Sequence, residues 1–337
     1  MARPGAGGVI LAIESSCDET AAALVDDGGR LLSSVVASQA ELHARYGGVV
    51  PEVASRRHLD LCVPVVERAL DDAGVGFGRV DAVAVTEGPG LIGALLVGLA
   101  TAKALAFARR LPLIPVGHLH GHVASLYLEP KPVAPPFLVL LASGGHTLLA
   151  EVDDHGPGMR VVGQTLDDAA GEAFDKGARL LGLGYPGGAA LERLARDGDD
   201  HAHEFAVAMA GREGLDFSFS GLKTALRTAV IAAGAEEPGH ADLAASYQRA
   251  LVRSLVSRTM RALEVTGRDT LAVVGGVAAN GVLRAALEQE CARAGVRLAL
   301  APLALCSDNA AMIASAARFC PALPYPEYLA RDAYATA

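Results

Sequence analysis

One alternation of apolar and polar positions is written twice along this 337-residue chain. Val9 to Ile13 is a continuous apolar run, Glu14-Ser15-Ser16-Cys17-Asp18-Glu19-Thr20 is polar, and Ala21 to Val25 is apolar again before the turn signal Asp26-Asp27-Gly28-Gly29. Two short apolar runs around a small polar tip predict a β-hairpin. About 128 residues later the order returns: Phe137 to Leu141, the tip Ala142-Ser143-Gly144-Gly145-His146-Thr147, Leu148 to Val152, then Asp153-Asp154-His155-Gly156.

The later parts of the halves correspond as well. A strand from Asp81 to Val85 leads through Thr86-Glu87-Gly88-Pro89-Gly90 into an apolar helix, Leu91 to Phe107, and a strand from Leu113 to Val116. In the second half a strand from Asp269 to Val274 leads through Gly275-Gly276-Val277-Ala278-Ala279-Asn280 into a helix from Val282 to about Ala294. A strand from Val296 to Ala301 follows. Continuous apolar strands alternating with helices predict parallel α/β layers. The expectation is a duplicated α/β chain with an N-terminal lobe over 9–134, a C-terminal lobe over 135–320 and a tail over 321–337. Lys131 to Pro136, with three prolines, is the expected linker. A helix is expected from about His58 to Ala73, and helix with tight turns between Thr165 and Gly188. Arg196 to Glu213 reads as a polar stretch.

Composition narrows the class. Few aromatics, no Trp and 51% hydrophobic residues suit closely packed α/β layers. A formal charge of −9 argues against a chain that holds nucleic acid through its own charge. Five cysteines with no C-x-x-C indicate neither a disulfide framework nor a structural zinc site, so a reducing cytoplasm fits. Residues 1–8 read as a Gly-rich lead-in rather than a signal peptide. The Leu91 to Phe107 run, interrupted by Gly93, Gly98, Thr101 and Lys103, reads as a buried helix rather than a membrane span.

The candidate chemistry sits at strand ends. His118 and His122 stand four apart after the Leu113 strand, so one helical turn would present both imidazoles on one face. The third ligand is expected to be Asp308, in Leu305-Cys306-Ser307-Asp308-Asn309-Ala310, because it follows the equivalent strand of the second half. Two His and a carboxylate leave coordination positions open for substrate. The alternative is a polar helix start whose histidines cap or face water, and the correspondence between the halves favours the metal. The two tips are expected to hold a nucleotide's phosphates, with Asp18 and Glu19 keeping Mg²⁺ or an ordered water. Gly275-Gly276 would let a ring or ribose lie on the backbone beside Asn280, with Pro186-Gly187-Gly188 as another wall. Ser220 reads as a helix cap. Arg56-Arg57-His58, Lys103 and Arg109-Arg110 are the basic points nearest the first half's site, and most of them read as solvated surface. The zincin pattern needs Glu directly after the first His, and Leu119 stands there, so a metallopeptidase is disfavoured.

The motifs around Ile13 to Thr20, Tyr46 to Glu52, His118-x3-His122, Ser143 to Thr147, Asp167 to Lys176, Gly214 to Thr224 and Cys306 to Asn309 together resemble a known family. It is the bacterial TsaD type of tRNA N6-adenosine threonylcarbamoyltransferase, formerly Gcp or O-sialoglycoprotein endopeptidase. The resemblance implies a two-lobed fold like that of actin, Hsp70 and sugar kinases (ASKHA) with its active site in the interlobe cleft. The implied reaction transfers threonylcarbamoyl from threonylcarbamoyl-AMP to N6 of adenosine 37 in tRNAs reading ANN codons, forming t6A. It implies His118, His122 and Asp308 as ligands of a divalent metal, usually iron, with Zn²⁺ in some preparations. Leu141, Ala142, Ser143, Gly144, Gly145, Asp175, Gly188 and Asn280 would bind the adenylate, and Asp18 and Glu19 would serve catalysis. Cytoplasmic partners are implied, a TsaB-like paralogue and a TsaE-like ATPase, and no membrane.

Overall fold

The computed structural model describes residues 8–207, 209, 213–233 and 239–336. The Gly-rich lead-in, except Gly8, and part of the Arg196 to Glu213 stretch lie outside them. Among the described residues, ten strands form two five-stranded sheets. The first sheet takes β1 (Val9–Glu14), β2 (Glu19–Asp26), β3 (Leu31–Ser38), β4 (Ala82–Gly88) and β5 (Leu113–Gly117) in the order β3-β2-β1-β4-β5. The second takes β6 (Phe137–Ala142), β7 (Thr147–Val152), β8 (Arg160–Gln164), β9 (Thr270–Val274) and β10 (Arg297–Leu300) in the order β10-β9-β6-β7-β8. The two orders are the same topology. In each sheet the first hairpin is antiparallel and the later strands join in parallel, so the duplication read from the sequence is a duplication of fold.

The helices are α1 (Ala40–Ala44), α2 (Pro51–Ala73), α3 (Ile92–Arg109), α4 (His118–Ala124), α5 (Ala170–Leu180), α6 (Gly187–Ala195), α7 (Ser220–Ala233), α8 (His240–Thr266), α9 (Gly281–Ala294) and α10 (Ala310–Ala317). Helix α2 begins seven residues before the expected His58, because Pro51 occupies its first position, where no amide hydrogen is needed. On one face of the first sheet, Leu11, Ile13, Val83 and Val85 pack with Val65 and Val66 of α2 and Leu99 of α3. Strand alternation turns Ala12, Ala21, Ala23 and Ala84 the other way. These small side chains suit the close packing of α10, itself nearly all small and wholly buried, against β1 and β2.

That packing decides the chain's division. One compact unit comprises Met1–Ala134, Asp154–Gly158 and Ser307–Ala337; the other comprises Pro135–Asp153 and Met159–Cys306. The expected second lobe over 135–320 thus gives up its last segment, and Asp308 shares a unit with His118 and His122 instead of approaching from a twin lobe. The tail over 321–337 is part of the same unit. Leu323 bridges Leu113, Tyr328 is fully buried, and Arg331 pairs with Glu87 at 2.5 Å.

Helix α3 is, among the described residues, the one helix long and apolar enough to cross a membrane. It was expected to be buried, and only one face is. Ala94, Leu95, Leu99, Ala102 and Ala106 are covered, while Ile92, Leu96 and Phe107 remain exposed.

Candidate metal centre and nucleotide pocket

Strand β5 delivers the backbone into α4, a single seven-residue helix that puts His118 and His122 on one face, ring centroids 4.8 Å apart. Asp308 stands just ahead of α10, whose start is capped by Asn309 accepting from the Met312 amide at 2.9 Å. Its Oδ1 lies 3.6 Å from His118 Nε2 and 3.3 Å from His122 Nε2. One ligand atom from each of the three residues lies within 4.8 Å of the others. Both ring nitrogens of His122 are buried and make no hydrogen bond. A buried ring nitrogen with no hydrogen bond costs on the order of 1–3 kcal/mol, and a cation bound at Nε2 would satisfy that nitrogen. The three residues therefore fit a divalent metal, as expected, and two imidazoles and a carboxylate would hold it.

Behind His118 stands a carboxylate not anticipated as a site residue. His118 Nδ1 lies 3.1 Å from Glu14 Oε2 and 3.2 Å from Ser16 Oγ. Glu14, fully buried at the end of β1, also accepts from the Ser16 amide at 2.5 Å and Thr86 Oγ1 at 2.6 Å. Burial alone would raise Glu14, but the His118 charge and hydrogen bond outweigh it and hold the carboxyl below its usual range. Burial likewise pulls His118 down, yet Asp308 and Glu14 together push it up to about 9 in the metal-free protein. A carboxylate on Nδ1 fixes the tautomer that leaves Nε2 free for a metal. Its sequence signal was a Glu closing an all-apolar strand.

Asp18 and Glu19 form the tip of the β1–β2 hairpin in the same unit. Burial, then the charges of Asp18 and Asp308, push Glu19 up to about 9, so it keeps its proton at neutral pH beside Asp18. A carboxyl whose folded pKa lies above its unfolded value stabilises fully below the unfolded value and loses that contribution as pH rises through the folded one. Chelator-treated protein should therefore lose thermal stability as pH climbs from about 4.5 towards 9. Glu19→Gln should flatten that slope below about pH 6.5, before the raised His118 adds its own loss, checked by melting temperature against pH; an unchanged slope there would remove Glu19 as its source.

The second unit holds a cavity of about 260 Å³. Of the residues expected to bind substrate, Gly144, Asp175, Gly188 and Asn280 line it. Leu141 and Ala142 are buried inside β6, and Ser143 and Gly145 belong to the adjoining tip without being among its lining residues. Asp175 Oδ1 accepts from the Gly187 and Gly188 amides at 2.8 and 3.1 Å, fixing the start of α6 as a wall. Asn280 caps α9 through the Leu283 amide at 2.9 Å and donates to Gln248 Oε1 at 2.9 Å and Glu192 Oε2 at 3.3 Å. Glu192, also on the wall, was missed, although it lies one helical turn beyond Gly188. Nearby, Ser220 does not act as its own helix's cap. Asp167 reaches in from the preceding loop and accepts from the Phe219 amide at 2.7 Å and the Ser220 amide at 3.3 Å.

The (R)-2-hydroxyglutaryl-CoA dehydratase component A of Acidaminococcus fermentans superposes with a TM-score of 0.55 at 15% identity, over 96% of this chain and 98% of that one. With the repeated sheet topology, this bears out the two-lobed actin-, Hsp70- and sugar-kinase-like fold. Two proteins named tRNA N6-adenosine threonylcarbamoyltransferase are far closer in sequence. That of Syntrophobacter fumaroxidans is 53% identical over 92% of this chain and 93% of its own length. That of Anaeromyxobacter dehalogenans is 56% identical over 91% and 92%. The family model for TsaD, tRNA N6-adenosine threonylcarbamoyltransferase, matches residues 30–315, and the chain belongs to that family.

Proposed function

We propose that this chain transfers the threonylcarbamoyl group from threonylcarbamoyl-AMP to N6 of adenosine 37 in tRNAs reading ANN codons, forming t6A and releasing AMP. The observation that carries the reading is the convergence of the buried His118 and His122 imidazoles with the half-buried Asp308 carboxylate, in a member of this family. In the reaction the N6 lone pair attacks the carbamoyl carbon, the bond from that carbon to the phosphate oxygen breaks, and AMP leaves with the electron pair. The N6 proton is surrendered. An activated mixed anhydride needs little further activation, so the protein's work is chiefly alignment.

A divalent ion, which we assign as iron, would polarise the threonylcarbamoyl carbonyl when held by His118, His122 and Asp308. The pocket bounded by Gly144, Asp175, Gly188 and Asn280 holds the adenylate, and the open backbone at Gly276 leaves room for a flat group. Glu19, which keeps its proton at neutral pH, would offer a hydrogen-bond donor at the tip, and the neighbouring Asp18 side chain would receive the proton that N6 gives up. The chain's negative charge supports dependence on helpers for holding tRNA, a TsaB-like paralogue and a TsaE-like ATPase. Exposed Leu59 and Val63 on α2 with Ile92 and Leu96 on α3 offer apolar surface of the kind protein partners cover.

The test incubates the purified chain with labelled threonylcarbamoyl-AMP, tRNA and the helper proteins. Label should reach tRNA, and chelation should abolish transfer until metal is restored. Full transfer by chelated protein would refute the metal's part. ATP-dependent phosphorylation of a small molecule without tRNA would instead support a sugar-kinase activity.

A further inference from the structure

His58 was grouped with Arg56 and Arg57 among the basic points nearest the first half's site, most of them expected at the solvated surface. It is instead fully buried, on the inner face of α2. Its Nε2 lies 2.9 Å from the carbonyl oxygen of Cys17, and its Nδ1 lies 2.8 Å from Thr20 Oγ1. A carbonyl only accepts, so Nε2 carries the hydrogen and donates. Burial holds His58 below its usual pKa despite the Cys17 hydrogen bond, so the ring is neutral and Nδ1 keeps a lone pair. Thr20 then donates its hydroxyl to Nδ1, and every polar atom of the ring has a defined role.

The two anchor points bracket Asp18 and Glu19. Cys17 precedes them in the hairpin tip and Thr20 follows them at the start of β2, so one rigid imidazole ties down both ends of the two-residue segment. A second tie comes from Gln39, whose amide donates to the Asp18 carbonyl at 3.0 Å. From this geometry we infer that His58 is a positioning residue: it sets the Asp18–Glu19 carboxylates at the reacting centre without touching substrate.

The inference rests on the reading that the tip is catalytic, so the experiment separates the two. Transfer is measured under single-turnover and steady-state conditions, with tRNA, threonylcarbamoyl-AMP and the helpers, for Asp18→Asn, Glu19→Gln, His58→Ala, His58→Gln and Thr20→Val. A displacement of about 1 Å at a reacting group costs about 10²-fold in rate, and His58→Ala should lower kcat by that order. Its KM for threonylcarbamoyl-AMP and its metal content should stay within about twofold of the parent, as positioning acts on the chemical step alone. The amide of His58→Gln offers one donor and one acceptor at nearly the imidazole spacing and should restore most of kcat. Thr20→Val, which removes only the hydroxyl, should lose part of it. Retained activity in Asp18→Asn and Glu19→Gln would overturn the catalytic reading of the tip. If those two fail while His58→Ala keeps its kcat, or if His58→Gln is as impaired as His58→Ala, the positioning role falls. Should His58→Ala not fold, Thr20→Val and His58→Gln still decide it: an unchanged kcat in Thr20→Val and an alanine-like collapse in His58→Gln both contradict it.

Discussion

Replacing Asp308 with alanine should strip the first unit of its metal while leaving its fold in place. The carboxylate contributes the only negative ligand of the triad, and its removal leaves two neutral imidazoles facing a cation. Partners of a metal's ligands are typically worth 10- to 100-fold in affinity, so loss of a ligand itself should exceed about 10²-fold and leave metal content near zero after dialysis. The fold should survive because Asn309 caps α10 through the Met312 amide and because the helix packs through apolar side chains. Glu14→Gln is the graded companion. Glu14 accepts from three donors, the Ser16 amide, Thr86 Oγ1 and His118 Nδ1. The amide end of a glutamine cannot accept, so one donor is left unmatched and His118 loses its charged support. Metal affinity should fall by about 10- to 100-fold, with partial activity at saturating metal. Elemental analysis beside a metal titration checks both. Stoichiometric metal in Asp308→Ala, or unaltered affinity in Glu14→Gln, would show that the ion sits elsewhere.

Much of this was readable from the chain because the decisive features are local in sequence. An apolar strand running into a histidine pair four apart fixes the strand end, the helical turn and the shared face. The repeated hairpin pattern fixes the sheet topology twice. What escaped depends on long-range packing. Asp308 was expected to belong to the second lobe, since the pattern of strands and helices up to Ala301 assigns that stretch there. The ownership of α10 is decided by small side chains meeting small side chains on β1 and β2, which no local period reveals. Glu14 and His58 were misjudged or missed for a related reason. A buried polar residue is recognisable only through its partners, and the histidine that gives Glu14 its role lies 104 positions away, those of His58 38–41. The cap of α7 repeats the lesson, with Asp167 reaching across more than fifty positions to do what Ser220 was expected to do.

Adjacent glycines at the end of β9 should behave as opposites, and the contrast tests where the adenylate binds. Gly275 is buried with φ at +92°, and a Cβ there would collide with the carbonyl of Ala142 on β6. Backbone strain of this kind costs about 1–3 kcal/mol, and the collision with a strand's own carbonyl adds to it. Gly275→Ala should therefore lose on the order of 3 kcal/mol or more of stability, read as a lower denaturation midpoint and poor soluble yield. Gly276 is exposed, and a Cβ there meets nothing within 4 Å. Gly276→Ala should be as stable as the parent, or more stable by about 0.4–1 kcal/mol because the unfolded chain loses freedom. Its methyl group would instead intrude on the cavity it lines, where the proposed adenylate would lay a ring or ribose against the backbone. Calorimetric affinity for AMP should fall by about tenfold, equivalent to about 1.4 kcal/mol. A Gly276→Ala protein that binds AMP as tightly as the parent would move the adenylate off this wall, whereas a fully stable Gly275→Ala would mean that β6 yields to the added methyl.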